Sequence, residues 1–130
     1  MQITKACDYA FRALVDLARL GGGPAETARV ARDVDVPPIY LRKILQGLSH
    51  AGLVRTLAGT GGGVALARSP KDISLKDIVE ALEGPITLSE CIDHPETCVR
   101  SDTCSVRPNL AVIQESIKAD LASRTIAQLA

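Results

Sequence analysis

Two groups of side chains in this sequence could do chemistry, and they lie in opposite halves of it. The first is Cys91, Cys98 and Cys104, a C-x6-C-x5-C array in a polar stretch that also holds Asp93, His94, Glu96, Arg100 and Asp102. Structural thiols usually sit in apolar helices or strands, where they pack as small hydrophobes. Thiolates bunched within a short polar segment are instead what zinc or an iron–sulfur cluster requires. Three thiolates leave one coordination position, which Asp93, His94 or Asp102 could fill locally, or a residue from elsewhere. Zinc would take Cys91, His94, Cys98 and Cys104, although the tight C-x2-C knuckles common in zinc fingers are absent. The N-terminus, Met1-Gln2-Ile3-Thr4-Lys5, lacks the basic and apolar run of a secretory signal, which disfavours a disulfide framework and leads us to expect a cytoplasmic protein. On spacing, a cluster, zinc and simple redox thiols all stay open, ranked in that order. The fourth cysteine, Cys7, falls inside the first helix expected from the pattern.

The second group is Tyr40, Arg42, Lys43 and Gln46, with Pro38 and Ile39 just before them and Arg55 beyond. If Leu41, Ile44, Leu45 and Leu48 are buried on one side of a helix, these residues are left on the other. Arg and Lys pair with guanine edges or phosphates, Gln pairs with adenine, and Ile39 or Pro38 can touch a thymine methyl. Arg55 is a phosphate candidate. The same residues are also ordinary helix formers for a solvated face. Gly59 to Gly63 are glycine-rich except for Thr60, but they lack the Lys-Ser/Thr pair of a P-loop and do not run from a strand into a helix.

The elements that must position these groups follow from period and punctuation. Ala6, Ala10, Ala13, Leu14 and Leu17 mark a helix from Thr4 to Leu20, stopped by Gly21-Gly22-Gly23-Pro24. A short helix fits Thr27 to Asp33. After a turn at Val34-Asp35-Val36, a third helix runs from Pro38 to Ala51 and ends at Gly52. Residues 53–57 and 64–67 are β-capable and flank the glycine-rich stretch, which predicts a hairpin with Gly61 and Gly62 at its tip. Ser74 and Asp77 resemble a capping box for a helix carrying Leu75, Ile78, Val79 and Leu82, closed by Gly84-Pro85. Leu110, Ile113, Ile117 and Leu121 form a narrow stripe on a final helix, as a helix–helix seam requires. The fold class is therefore mainly α with a small β-hairpin: a winged helix-turn-helix over residues 1–84, a cysteine-bearing segment over 85–107, and a long C-terminal helix with its tail over 108–130. In that order of elements one helix enters the major groove, the preceding helix braces it, and the hairpin reaches the adjacent backbone or minor groove.

Composition is consistent with this and excludes several alternatives. Of 130 residues, 46% are apolar and 23% charged, which argues against wholesale disorder. No apolar run approaches the length that spans a bilayer. The three aromatics, Tyr9, Phe11 and Tyr40, are too few for a base-stacking surface. Net charge is zero, yet residues 1–68 carry nine basic against five acidic side chains and the remainder reverses that bias. The N-terminal half is thus the part suited to an anionic partner. The only histidines, His50 and His94, stand alone among polar residues, and no nucleophile–base pair suggests an enzyme.

Taken together, Ile3-Thr4-Lys5, Asp8-Tyr9-Ala10, Asp16-Leu17-Ala18, Tyr40-Leu41, Ala51-Gly52-Leu53-Val54, Gly61-Gly62-Gly63, Leu66-Ala67-Arg68, the run Asp77 to Gly84 and the three cysteines resemble the bacterial regulators typified by IscR, NsrR and RirA, the Rrf-two family. The resemblance covers nearly the whole chain. It implies a homodimeric winged-helix regulator of transcription that binds a palindromic double-stranded operator and dimerises through the C-terminal helix. It also implies an iron–sulfur cluster on Cys91, Cys98 and Cys104 that responds to iron–sulfur status, nitric oxide or redox state. Three positions depart from the pattern. IscR-like members place a histidine ligand where Arg107 stands, and a guanidinium cannot ligate because it stays protonated. NsrR-like members use an acidic residue of the partner subunit's first helix, a position held here by Asp8, so a 4Fe–4S cluster is favoured over 2Fe–2S; zinc or no metal is the alternative. Ala58 replaces a frequent wing arginine, and Arg42 replaces a frequent acidic residue, which points to a different operator preference.

Overall fold

In the computed structural model, which describes residues 2–60 and 62–130, helix α1 spans Lys5–Arg19, strand β1 Ala25–Glu26, α2 Thr27–Asp33, α3 Pro38–His50, β2 Val54–Leu57 and β3 Gly63–Leu66. They are followed by α4 Leu75–Glu83, α5 Glu90–Asp93, α6 Val106–Ser123 and α7 Ile126–Leu129, with 3-10 turns at Pro70–Asp72 and Pro95–Thr97. The mainly helical winged helix-turn-helix architecture is as expected.

Local chemistry sets the boundaries. Thr4 caps α1 by accepting a hydrogen bond from the Cys7 amide at 3.2 Å. Ser74 and Asp77 close a reciprocal capping box on α4. Helices α1 and α3 end in the same motif, with a glycine at positive φ and paired amide bonds back to the last turn: Gly21 to Ala18 O and Gly22 to Leu17 O, then Gly52 to Ser49 O and Leu53 to Leu48 O. Leu14, Leu17, Leu41, Leu45 and Leu48 are almost fully excluded from solvent and form one core with Val30, Val54, Val64, Ile73 and Ile78. Each buried side chain of this size contributes about 1.5–3 kcal/mol.

Three features differ from the sequence reading. The hairpin is part of a three-stranded antiparallel sheet of order β1-β3-β2, because Ala25 and Glu26 pair with Val64 and Gly63. A two-residue strand has no period to read. Second, the stripe on α6 is divided between two surroundings. Ile117 and Leu121 pack within the chain against Val79, Ile86 and Cys7, and Gln114 beside them is buried. Ile113 is 49% exposed, and Val106 and Val112 are exposed with it. Third, the chain after α6 returns to the N-terminal unit. Thr125 bridges Ser74, the Ile126 amide donates to Ile73 O at 2.9 Å, and the Ile126 side chain is fully buried in the core.

Candidate nucleic-acid interface and cysteine segment

The turn between α2 and α3 sets the aim of α3. It repeats the hydrogen bonds of the other two helix ends, Asp35 to Arg32 O and Val36 to Ala31 O, but Asp35 stands where the others have glycine and holds φ 56°. Asp is among the few side chains that tolerate this left-handed conformation. Arg12 of α1 locks the turn from behind: its Nη1 donates to Val34 O at 2.8 Å while Nη2 pairs with Asp8 at 2.9 Å. The Arg12 guanidinium also lies 5.1 Å from the centre of the Tyr9 ring, and Tyr9 meets Tyr40 edge-on at 6.5 Å. Helix α3 then starts at Pro38, whose missing N–H costs nothing in a first turn.

The candidate contact residues are exposed but do not form one surface. Ile39 (76% exposed), Arg42 and Gln46 recur at spacings of three and four, so they share a face of α3. Arg42 and Gln46 line a groove of about 220 Å³ between α3 and the hairpin, together with Thr27, Thr56, Leu57 and Gly62. Tyr40 and Lys43 lie on the adjacent face and open onto a different cleft, beside α1 and α4. Pro38 is exposed at the tip of the helix. Arg55 is exposed opposite Ala65, and the alternation of the strand puts it on the sheet face away from its neighbour Thr56, which lines the groove. Gly61 lies outside the described residues; Gly62 has φ 66°, a conformation glycine adopts freely. Thr27 and Thr56 are the groove residues that sequence reasoning missed. The period-2 rule applied to β2 could have found Thr56, whereas Thr27 enters only through the pairing of β1.

The three cysteines sit on short pieces of structure between α4 and α6. Cys91 is half-buried in α5, with its Sγ 3.3 Å from Ser89 Oγ. Cys98 is exposed at the end of the 3-10 turn, and Cys104 is half-buried immediately before α6. Backbone N–H groups of Arg107 and Val106 hold the Cys104 thiol below its usual range, helped by the charges of Arg107 and Arg100. Arg107 Nε is buried without an acceptor. The segment is tied to α6 by Gln114, whose Oε1 accepts from the Leu88 amide at 2.8 Å. Asp8 is exposed on α1 in its pair with Arg12, and His94 is exposed beside Glu96 at 3.2 Å. Among the described residues no three His, Cys, Asp or Glu side chains of one chain converge as metal ligands, so neither Asp8 nor His94 joins the thiols here. The donor set nevertheless fits a soft iron–sulfur group: three solvent-reachable thiols, one of them held below its usual range by neighbouring N–H groups, and a buried guanidinium N–H without an acceptor. Cys7 differs from them. It is fully buried, and burial pushes its thiol up.

Comparison with known proteins shows the family and the fold. Residues 3–130 match the Rrf2 family, described as iron-dependent transcriptional regulators. The NsrR repressor of Streptomyces coelicolor is 35% identical, over 99% of this chain and 88% of its own length. Among solved structures, CymR of Bacillus subtilis, described as the global cysteine regulator, superposes with a TM-score of 0.82 at 28% identity over 99% of this chain and 95% of its own. IscR from T. potens gives a TM-score of 0.76 at 28% identity, over 99% and 85%. The named relatives are regulators of transcription, not enzymes. No helix among the described residues is long and apolar enough to cross a membrane.

Proposed function

The chain belongs to the Rrf2 family of transcriptional regulators, and from that premise we propose that it is a homodimeric DNA-binding regulator of the cytoplasm that senses iron–sulfur status, nitric oxide or redox state through Cys91, Cys98 and Cys104. The observation that carries the sensing half is the fit of the donor set: three reachable thiols on a segment tethered to α6, with the Arg107 backbone N–H directed at Cys104 and the Arg107 Nε buried without a partner. Asp8, contributed by the second copy, supplies the fourth position, and with Arg107 unable to ligate this favours 4Fe–4S. When bound, the cluster supplies a crosslink that oxidation or nitric oxide can remove.

The DNA half is assigned to α3 and the wing. Arg42 and Gln46 read base edges from the groove, with Pro38 and Ile39 at the leading end and Gly62 and Arg55 on the wing; Gly61, outside the described residues, is assigned with them from its place in the sequence. Tyr40 and Lys43 reach phosphates beside them. A palindromic double-stranded operator follows from a two-fold pair of such heads. The exposed flank of α6, with Val106, Val112 and Ile113, is the surface we assign to the second copy; burying these side chains removes apolar area from water. Asp8 supplies a route from sensor to reader. Its carboxylate holds Arg12, and Arg12 holds Val34 O in the turn that aims α3. Engaging Asp8 elsewhere changes what Arg12 must balance, so the two states of the sensor bias two settings of the turn.

A second reading keeps the fold and drops the cluster. It is favoured by the dispersed thiols within one chain and by likeness to a protein described as a cysteine regulator. In that reading Cys104 responds to thiol oxidation, or the cysteines hold zinc. Oxygen-free purification with iron, sulfide and zinc assays separates the two. Visible charge-transfer absorbance lost on replacing all three cysteines by serine, and altered in Asp8→Ala, supports the cluster. A colourless chain with stoichiometric zinc refutes it, and equal operator affinity with and without the cluster refutes sensing.

A further inference from the structure

The cleft behind the recognition helix is separate from the groove that faces the wing. It has a volume of about 320 Å³, at the small end of the range for ligand pockets. Its walls are Ala6 of α1, Ile44 and Gly47 of α3, and Ala81 and Leu82 of α4. The space exists because three of these residues are small. At the Gly47 end it closes tightly, since a Cβ there would lie 3.0 Å from Leu82 Cδ2. The mouth is polar and one-signed: Tyr40 and Lys43 line it, and no carboxylate does. Lys43 pairs with no acid among the described residues. Of the acids on the flanking helices, Asp8 pairs with Arg12, Asp77 with Ser74, Glu80 with Lys76, and Glu83 with the Thr4 hydroxyl, while Asp16 borders a different cleft beside Arg12 and Asp33. One further cation lies near the mouth: Lys5 is 6.0 Å from the ring of Tyr9, which itself abuts Tyr40, whereas Arg12 on the same ring is already paired with Asp8.

An apolar recess closed at one end and rimmed by an unpaired ammonium, a phenol and no acid is complementary to a small molecule with a flat or short apolar body and one negative head. We propose that this cleft binds small aromatic or short-chain carboxylates. The apolar body lies between Ala6, Ala81 and Leu82, and the carboxylate accepts hydrogen bonds from Lys43 Nζ and the Tyr40 hydroxyl. Because Tyr40 and Lys43 are also assigned to DNA, occupancy lowers operator affinity; that consequence rests on the proposed function, whereas binding itself does not.

The test uses 1-naphthoate as probe and the full-length chain, followed by two-dimensional amide NMR without DNA. The expected result is saturable shifts at the amides of Ala6, Gly47, Ala81 and Leu82, with a dissociation constant of about 0.1–1 mM for so small a ligand. Lys43→Gln weakens binding about tenfold by removing the charge-assisted contact, and Ala81→Leu abolishes it by filling the recess. Absence of saturable shifts, equal binding of 1-naphthylmethylamine, or unchanged binding in both variants overturns the proposal. In a second arm 1-naphthoate weakens operator binding by the wild type but not by Ala81→Leu. Naphthoate seated in the cleft with operator affinity unmoved upholds the anion site and removes Tyr40 and Lys43 from the DNA surface.

Discussion

Replacing Gln114 by Leu tests whether the cysteine segment is held by α6. Gln114 is 2% exposed, and its Oε1 is the acceptor for the Leu88 amide at 2.8 Å. Leu matches it in length and apolar contact but offers no acceptor. The Leu88 N–H must then stay buried and unpaired, or swing out to water with the residues that lead into α5. An orphaned donor costs about 1–3 kcal/mol when fully buried. Leu88 is only half-buried, so the lower part of that range applies, about 1–2 kcal/mol. At 1.36 kcal/mol per factor of ten, local opening becomes about five to thirty times more populated. Hydrogen exchange of the Leu88 amide should accelerate by that factor, and alkylation of Cys91, a few residues on, should accelerate with it. Exchange at Ile126 and Leu53 in the core should not follow. Gln114→Glu keeps an acceptor oxygen in either protonation state and should leave Leu88 near its original rate. If Gln114→Leu leaves Leu88 exchange unchanged, or if the whole domain loosens equally, the segment is not tethered through this bond, and a coupling between sensor and α6 that depends on it fails.

Other expectations follow from the same contacts. Arg42→Ala should cost about 1–3 kcal/mol of operator binding and relax base preference at one position, whereas Arg55→Ala, on the other sheet face, should weaken all sequences alike and reduce the salt slope by about 1; identical salt and sequence profiles for the two variants would contradict their separation. Ile126→Ala removes a fully buried side chain and should destabilise by about 2–4 kcal/mol, lowering the melting temperature by roughly 10 °C, although the residue lies far along the chain from the winged domain it supports. A change of only a degree or two would mean that the C-terminal return is dispensable. Burial, and then the nearby Asp33, push the Asp16 carboxyl up, and its Oδ2 is buried without a partner. The folded state therefore holds this proton more tightly than the unfolded chain, a contribution fully present below the ordinary aspartate range and lost as pH rises through the folded value. Asp16→Asn should accordingly raise stability at neutral pH, with the gain fading in acid; denaturant titrations at several pH values would expose a constant difference as the wrong answer.

Much of this protein was legible because its punctuation is strong. Thr4, Gly21, Pro38, Gly52 and the Ser74–Asp77 pair each impose a boundary by a local mechanism, either a cap or a backbone conformation, that needs no knowledge of the rest of the chain. The polar setting of three cysteines and the basic face of α3 were legible for the same reason, since residue type and spacing alone limit what they can bind. Arg55 and Thr56 show where this stops. Which of them meets α3 depends on the face that the sheet turns inward, and β1, too short for any pattern, helps set that face.

The amino-acid order by itself determined the longer elements, most of their ends and the two reactive groups, because those follow from interactions within a few residues. Only the folded chain decided that Arg42 and Lys43, adjacent in sequence, serve different clefts, that half the α6 stripe is already used inside the chain, and that Ile126 completes a core begun more than a hundred residues earlier. Those outcomes depend on which surfaces compete for the same apolar space, and that competition is settled by packing across the whole molecule.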